Sequence, residues 1–225
     1  DFETGESVKI VLNPESNAVQ NAQALYKKHQ KLKRARLAVE PLLAEVNAEI
    51  AYLEQVELAL EQIKVYCEPD YLFALEEIRD ELIEQQYLAA PTYRSQSKNS
   101  NTKPNFHQYK TPSGFELLIG RNNHQNDHLT FRIAGDYDLW FHTQEIPGSH
   151  VLMRLHPGDR PDETDLQYAA NLAAYYSRAS QSEFAPVVYT EPKHVYKPRG
   201  TKPGMAIYKH ERSVWGKPRE AGVDS

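Results

Sequence analysis

The chain has 225 residues, of which 40% are hydrophobic and 25% charged, and a formal net charge of −5. That balance predicts a folded protein of one or two domains and excludes a fully disordered chain. No apolar run approaches the roughly 18 residues needed to cross a bilayer. The lone cysteine, Cys67, rules out an internal disulfide and a cysteine-based zinc site, so a reducing, cytoplasmic setting is expected.

The chain opens on Asp1 without a basic and apolar leader, which reads as a piece of a longer protein with no secretory signal. Its charge is unevenly divided. Residues 1–92 hold 9 Lys and Arg against 17 Asp and Glu, whereas residues 93–225 hold 17 against 14 and eight of the nine histidines. Such asymmetry predicts two units with different partners.

Residues 1–12 read as the tail of a preceding domain and residues 13–92 as a helical arm. Asn13 is the expected N-cap, with Pro14 at the first helical position and Glu15 at the positive end of the dipole. Leu25, Leu32, Val39, Val46, Leu53 and Leu60 recur every seven residues. Of the companion positions Lys28, Ala35, Leu42, Glu49, Val56 and Ile63, four are apolar. This is a coiled-coil seam, interrupted at Pro41, where a kink or break is expected. Glu68-Pro69-Asp70 end the first helix, and Tyr71, Leu75, Ile78, Leu82 and Ala89 pattern a second, shorter one. A short turn between them predicts an antiparallel hairpin whose longer helix keeps uncovered surface. Lys27, Lys28, Lys31, Lys33, Arg34 and Arg36 concentrate six cations in ten residues. Such a patch is either RNA-facing or a solvated helix face.

Residues 93–105 are polar and Pro-containing, a linker. Residues 106–225 alternate short strands and helices, an α+β domain. Strands are expected at 115–119, 139–142, 150–155, 186–190 and 205–208, and helices after Gly120-Arg121-Asn122-Asn123 and over 165–178. Ile146-Pro147-Gly148-Ser149 has the composition of a type II turn.

Catalytic signatures are weak. Ser149 and His150 are adjacent, and neighbours on a strand face opposite ways. Nothing around them forms a Gly-x-Ser-x-Gly elbow, and Gly200–Gly204 is not a nucleotide P-loop. His124 and His128 stand four apart, yet Gln125 replaces the glutamate of a zincin. His142 and His150 flank the turn and are candidates to converge. RNA binding has better support. Lys193, Lys197, Arg199, Lys202, Lys209, Arg212, Lys217 and Arg219 are offset by a single acid, Glu211, and interleaved with Tyr196, Tyr208 and Trp215. Cations neutralise phosphates while aromatic rings stack on unpaired bases; a basic loop with core aromatics would have the same composition.

Several strings resemble the NFACT-R signature of the RqcH/NEMF-type NFACT family, which is also labelled fibronectin-binding protein A-like. They are Gly120-Arg121-Asn122-Asn123-His124-Gln125-Asn126-Asp127, Asp138-Leu139-Trp140-Phe141-His142, Ile146-Pro147-Gly148-Ser149-His150-Val151, Ala169–Ser177, Val188-Tyr189-Thr190 and Lys197–Gly204. Upstream, Asn13-Pro14, Asn21-Ala22-Gln23 and the lysines that follow are similar to the start of the family's coiled-coil arm.

The resemblance implies a long antiparallel helical hairpin followed by an NFACT-R-like RNA-binding domain. It implies a cytoplasmic, non-enzymatic factor of ribosome-associated quality control, without cofactor, metal or membrane partner. Such a factor binds the obstructed large ribosomal subunit, through ribosomal RNA and stalk-base proteins, and recruits alanyl-tRNA for C-terminal alanine tailing. The candidate RNA-binding residues it carries over are Arg121, Asn122, Asn123, Trp140, His142, Gly148, Ser149, His150, Lys197, Lys202 and Gly204, to which the basic stretch adds Lys193 and Arg199. Self-association through the arm is a further expectation. The rival readings are a surface fibronectin-binding adhesin or other protein-binding module, and a metal-dependent RNA-processing enzyme.

Overall fold

The computed structural model describes residues 5, 7–65, 71–90 and 105–219. Cys67, the expected helix stop at Glu68-Pro69-Asp70 and nearly all of the expected linker lie outside them. The chain divides into two units, the first ending at Glu49 and the second starting at Ile50.

Helix α1 runs Ala18–Val65, 48 residues with Pro41 inside. It does not start at Asn13. Asn17 and Gln20 accept each other's backbone N–H at 2.8 and 3.0 Å, a reciprocal cap that fixes the start one turn later. Asn13 instead sits in a turn pinned by Asn21, whose side chain accepts from Asn13 N and donates to Asn13 O and Ser16 O. The expected break at Pro41 is absent, for the helix continues through it. Proline deprives only the Leu37 carbonyl of its donor, and Leu37 is exposed, so water can replace the lost bond.

In the first unit the seam is bare: Leu25, Leu32, Val39 and Val46 are all exposed. In the second unit the seam is covered from Val56 onward, while Leu53 is still exposed. Tyr52, Val56 and Ala59 bury against Ile78 of helix α2, Tyr71–Glu84, with Leu60, Ile63, Leu82 and Tyr87 around them.

The rest of the second unit is built on a six-stranded, wholly antiparallel sheet of order β1-β2-β4-β3-β5-β8. Its strands are β1 His107–Lys110, β2 Glu116–Ile119, β3 Leu139–Thr143, β4 Val151–Met153, β5 Ala185–Thr190 and β8 Arg212–Gly216. A separate ribbon pairs β6 Val195–Tyr196 with β7 Ile207–Tyr208. Both sheet faces are buried, and the period of two sorts the side chains between them. Leu117, Ile119, Phe141, Val151, Met153 and Val187 pack against the alanine-rich face of helix α4, Glu163–Tyr175. Leu118, Trp140, Leu152 and Val188 face the other way, onto Phe106, Leu129 and Val195. That second layer contains the short helix α3, Asn123–His128, which widens into a π-turn over Leu129–Ile133. The fold is therefore α+β, with a helical arm.

The expected type II turn at Pro147-Gly148 does not form. β3 instead turns at Gln144-Glu145, where Glu145 takes φ +55° and Thr143 Oγ1 donates to Ile146 O at 2.9 Å. Gly148 has no positive φ; it bridges to Ser177, and a Cβ there would stand 2.7 Å from Thr143 Oγ1. Close approach, not turn geometry, is what requires glycine at this position.

Candidate nucleic-acid interface

Four of the sequence strings singled out above meet in space. Asn122 caps α3 by accepting from Gln125 N, and Asn126 Oδ1 accepts from His150 N at 3.0 Å. Asp127 accepts from Gly204 N at 3.1 Å and pairs with Lys197. Gly204 has φ +78°, and a Cβ on it would lie 2.4 Å from Asn123 Oδ1. The loop Lys197–Gly204 can therefore dock on α3 only through a glycine. His150 closes the junction. Its Nδ1 lies 2.7 Å from Thr130 Oγ1, which accepts from Trp140 Nε1 at 3.1 Å, and its ring also bonds the Gly204 backbone.

Helix α2 anchors this junction from below with two carboxylates one turn apart. Glu77 Oε2 accepts from Asn122 Nδ2 and Gln125 Nε2, both at 2.7 Å, and Glu81 Oε1 accepts from Asn123 Nδ2 at 3.0 Å. Burial of Glu81 raises its pKa against the opposing hydrogen bond from Asn123. The nearby Tyr52 hydroxyl lacks a well-aligned partner among the described residues, and its pKa is raised by burial and by the Glu81 charge. Lys202 joins the same junction. Its Nζ sits 4.8 and 4.4 Å from the Tyr52 and Tyr87 ring centres and donates to Tyr87 Oη at 2.7 Å. Glu77 and Glu81 were not among the residues the sequence motifs pointed to, although their i, i+4 spacing is a sequence signal for one shared helix face.

Several of the expected RNA contacts are buried. Asn122 and Asn123 are 3% exposed, Trp140 1% and His150 2%; Gly148, Ser149 and Gly204 are buried as well. Their polar groups serve internal bonds that hold the junction together. Lys202 is half-buried in its aromatic clamp. His142 is half-buried, with Nε2 3.2 Å from Gly148 O, and meets His150 edge-on at 5.3 Å between ring centres. The two histidines do converge. Burial lowers the pKa of His142 to about 4 and that of His150 well below its usual value, so both rings are neutral at pH 7. Arg121 is half-buried, and its Nε and Nη1 have no hydrogen-bond partner among the described residues.

The exposed candidates are Lys193, Lys197, Arg199 and the six arm cations. Lys193 pairs with Glu191, and Lys197 with Asp127. Other members of the same basic, aromatic stretch are exposed as well. Tyr196 of β6 is 46% exposed with Lys209 Nζ 5.7 Å from its ring centre, and Trp215 of the edge strand β8 is 64% exposed beside exposed Arg212 and Lys217. A groove of about 490 Å³ runs between His124, His128, Phe131, Arg132 and Lys197. His124 and His128 thus share a face, but no cluster of three or more His, Cys, Asp or Glu forms among the described residues.

Residues 1–101 match the NFACT N-terminal and middle domains, and residues 105–209 match the NFACT protein RNA binding domain. The solved C-terminal part of the fibronectin/fibrinogen-binding protein from Streptococcus suis is similar over 90% of this chain and 77% of its own, at 37% identity and a TM-score of 0.73. The chain belongs to the NFACT family. Two NFACT relatives are the Rqc2 homologs RqcH of Bacillus subtilis, 38% identical over 96% of this chain, and of Streptococcus suis, 37% identical over all of it. The chain spans 36% and 39% of those two proteins. The NFACT RNA-binding match contains α3, the strings that meet on it and the Tyr196–Lys209 ribbon, whereas Glu77, Glu81, Arg212 and Trp215 lie outside it. No helix among the described residues is long and apolar enough to cross a membrane.

Proposed function

We propose that this chain is the arm and RNA-binding portion of a ribosome quality control factor. In this reading it binds the obstructed large ribosomal subunit and tRNA in support of C-terminal alanine tailing of stalled nascent chains. The observation that carries the proposal is the similarity to RqcH across nearly the whole chain, joined to an NFACT RNA-binding domain. The exposed cation–aromatic ribbon supports it physically, because Tyr196 and Trp215 offer stacking faces while Lys193, Lys209 and Arg212 can neutralise phosphates. The ribosome would form the peptide bonds, and this chain would act as a non-catalytic adaptor working in the cytoplasm. In this reading alanyl-tRNA selection depends on more than this chain, which spans 36% and 39% of the two RqcH relatives. A fibronectin-binding role, which the Streptococcus suis structure carries in its name, is the weaker reading, since the matched domain is an RNA-binding one.

Co-sedimentation with purified large ribosomal subunits across a salt series tests this. If about four phosphates are contacted, log affinity falls with log salt at a slope of about −3 to −4. Lys209→Glu with Arg212→Glu should weaken binding and flatten that slope by about 2. Equal sedimentation of the parent and the double variant at every salt concentration would overturn the assignment of this surface.

A further inference from the structure

A cavity of about 270 Å³ opens on the sheet face behind the ribbon, and the RNA-binding surface described above does not use it. Its flat walls are His142 and Tyr208, with Trp140, 1% exposed, packed behind them. His142 stacks on Trp140 at 5.7 Å with 16° between planes, and Tyr208 lies 5.7 Å from Trp140 at 42°. Pro147 and Met205 supply apolar edges, and the loop that ends in Gly204 forms one side. Its charge has one sign: Glu54 and Glu145 line it, and no Lys or Arg does. With both imidazoles neutral at pH 7, the cavity repels phosphate and accepts N–H donors. The volume lies just below the range of about 300–1,000 Å³ that takes drug-sized ligands, and so suits one ring system.

We propose that this cavity receives a single unstacked RNA base bearing an exocyclic amino group: guanine, adenine or cytosine in preference to uracil. Such a base presents a π-face to the rings and ring-edge N–H groups to a carboxylate. Uracil offers one ring N–H at that edge, flanked by two carbonyl oxygens that the same carboxylates repel. Glu145 is the selecting group. Glu54 is shared with Arg178, 3.6 Å away, whereas Glu145 is exposed at the rim. The inference rests on the RNA-binding reading and adds a base preference to it.

The test uses two readouts on the full chain. Trp140 and Trp215 are the only tryptophans, so Trp215→Phe leaves Trp140, in contact with His142 and Tyr208, as the sole tryptophan reporter and keeps an aromatic ring on the surface. A short oligouridine is compared with the same oligomer carrying one central guanosine, adenosine, cytidine or abasic site. The amino-bearing oligomers should bind about tenfold tighter than oligouridine, equivalent to about 1.4 kcal/mol, and should quench Trp140 saturably. Glu145→Gln should remove that preference, bringing the affinities of the amino-bearing oligomers and oligouridine together; Glu145 is exposed, so this variant keeps the core intact.

Equal affinity for all oligomers, including the abasic one, overturns the cavity proposal while the RNA-binding reading survives. The cavity proposal also fails if the preference persists in Glu145→Gln, or if arginine amide quenches Trp140 as strongly as the oligomers do, which would mark a cation cage. Absence of binding to every oligomer overturns both readings.

Discussion

Lys202, expected as an RNA contact, is held in an aromatic clamp. Its position in a basic, glycine-flanked string was legible. Its clamp partners, Tyr52 and Tyr87, lie far away in the chain, and no local pattern announces that pairing. A cation held over two half-desolvated rings is worth about 1–2 kcal/mol. Lys202→Ala should therefore lower unfolding stability in urea by about that amount, while weakening RNA binding less than Lys209→Glu does. The reverse order of effects would restore Lys202 as a direct contact. Asn123 is a parallel case. Its amide is the donor to a carboxylate that is 1% exposed, so Asn123→Ala leaves Glu81 buried without that bond. The expected cost is about 2–3 kcal/mol in denaturant unfolding, with no change in salt slope.

At the scale of elements, sequence periodicity located the central strands because they are buried on both faces and apolar throughout. It missed β1, whose residues His107, Gln108, Tyr109 and Lys110 alternate half-buried and exposed. It missed β6 and β8 as well: one is two residues long, and the other is an edge strand carrying exposed Arg212, Ser213 and Trp215. Strands this short or polar are specified by their partners, not by their own composition.

The same sheet buries three histidines with depressed pKa values. His107 falls to about 4 through burial and the nearby Arg121 charge, His142 to about 4 through burial, and His150 well below its usual value through burial and His142. The unfolded chain binds these protons more readily than the folded one, so their contribution is complete above pH 6.5 and is lost as pH falls toward about 4. A fall from 6.5 to about 4 corresponds to about 3 kcal/mol for each imidazole. Glu81 works in the opposite direction, since its raised pKa makes the folded state more favourable once it is protonated. Urea midpoints should thus drop between pH 6.5 and 4, and His107→Gln should flatten part of that drop. A midpoint that rises toward pH 4 would mean that Glu81 outweighs the imidazoles.

Over the whole molecule, the division of charge and the seven-residue repeat predict different fates for the two units. The repeat was legible from end to end, but it does not reveal where a partner helix stops. Burial does. Val56, Leu60 and Ile63 pack with Ile78 and Leu82 of α2, whereas Leu32 is 60% and Val39 48% exposed. An apolar row of this kind is stable in water chiefly when another helix covers it, and an identical chain supplies a matching row. In isolation, the chain should therefore self-associate with rising concentration. Leu32→Glu with Val39→Glu places carboxylates at two consecutive positions of the row and should return the sedimentation coefficient to that of a monomer. Because Asn122, Trp140 and the ribbon all belong to the second unit, the near-ultraviolet spectrum of its buried aromatics and the salt slope of RNA binding should stay at parent values. If the double variant also lost RNA affinity, the six arm cations Lys27, Lys28, Lys31, Lys33, Arg34 and Arg36 would have to act from a paired arm. RNA binding would then depend on chain concentration, and a dilution series of the parent protein detects that dependence directly.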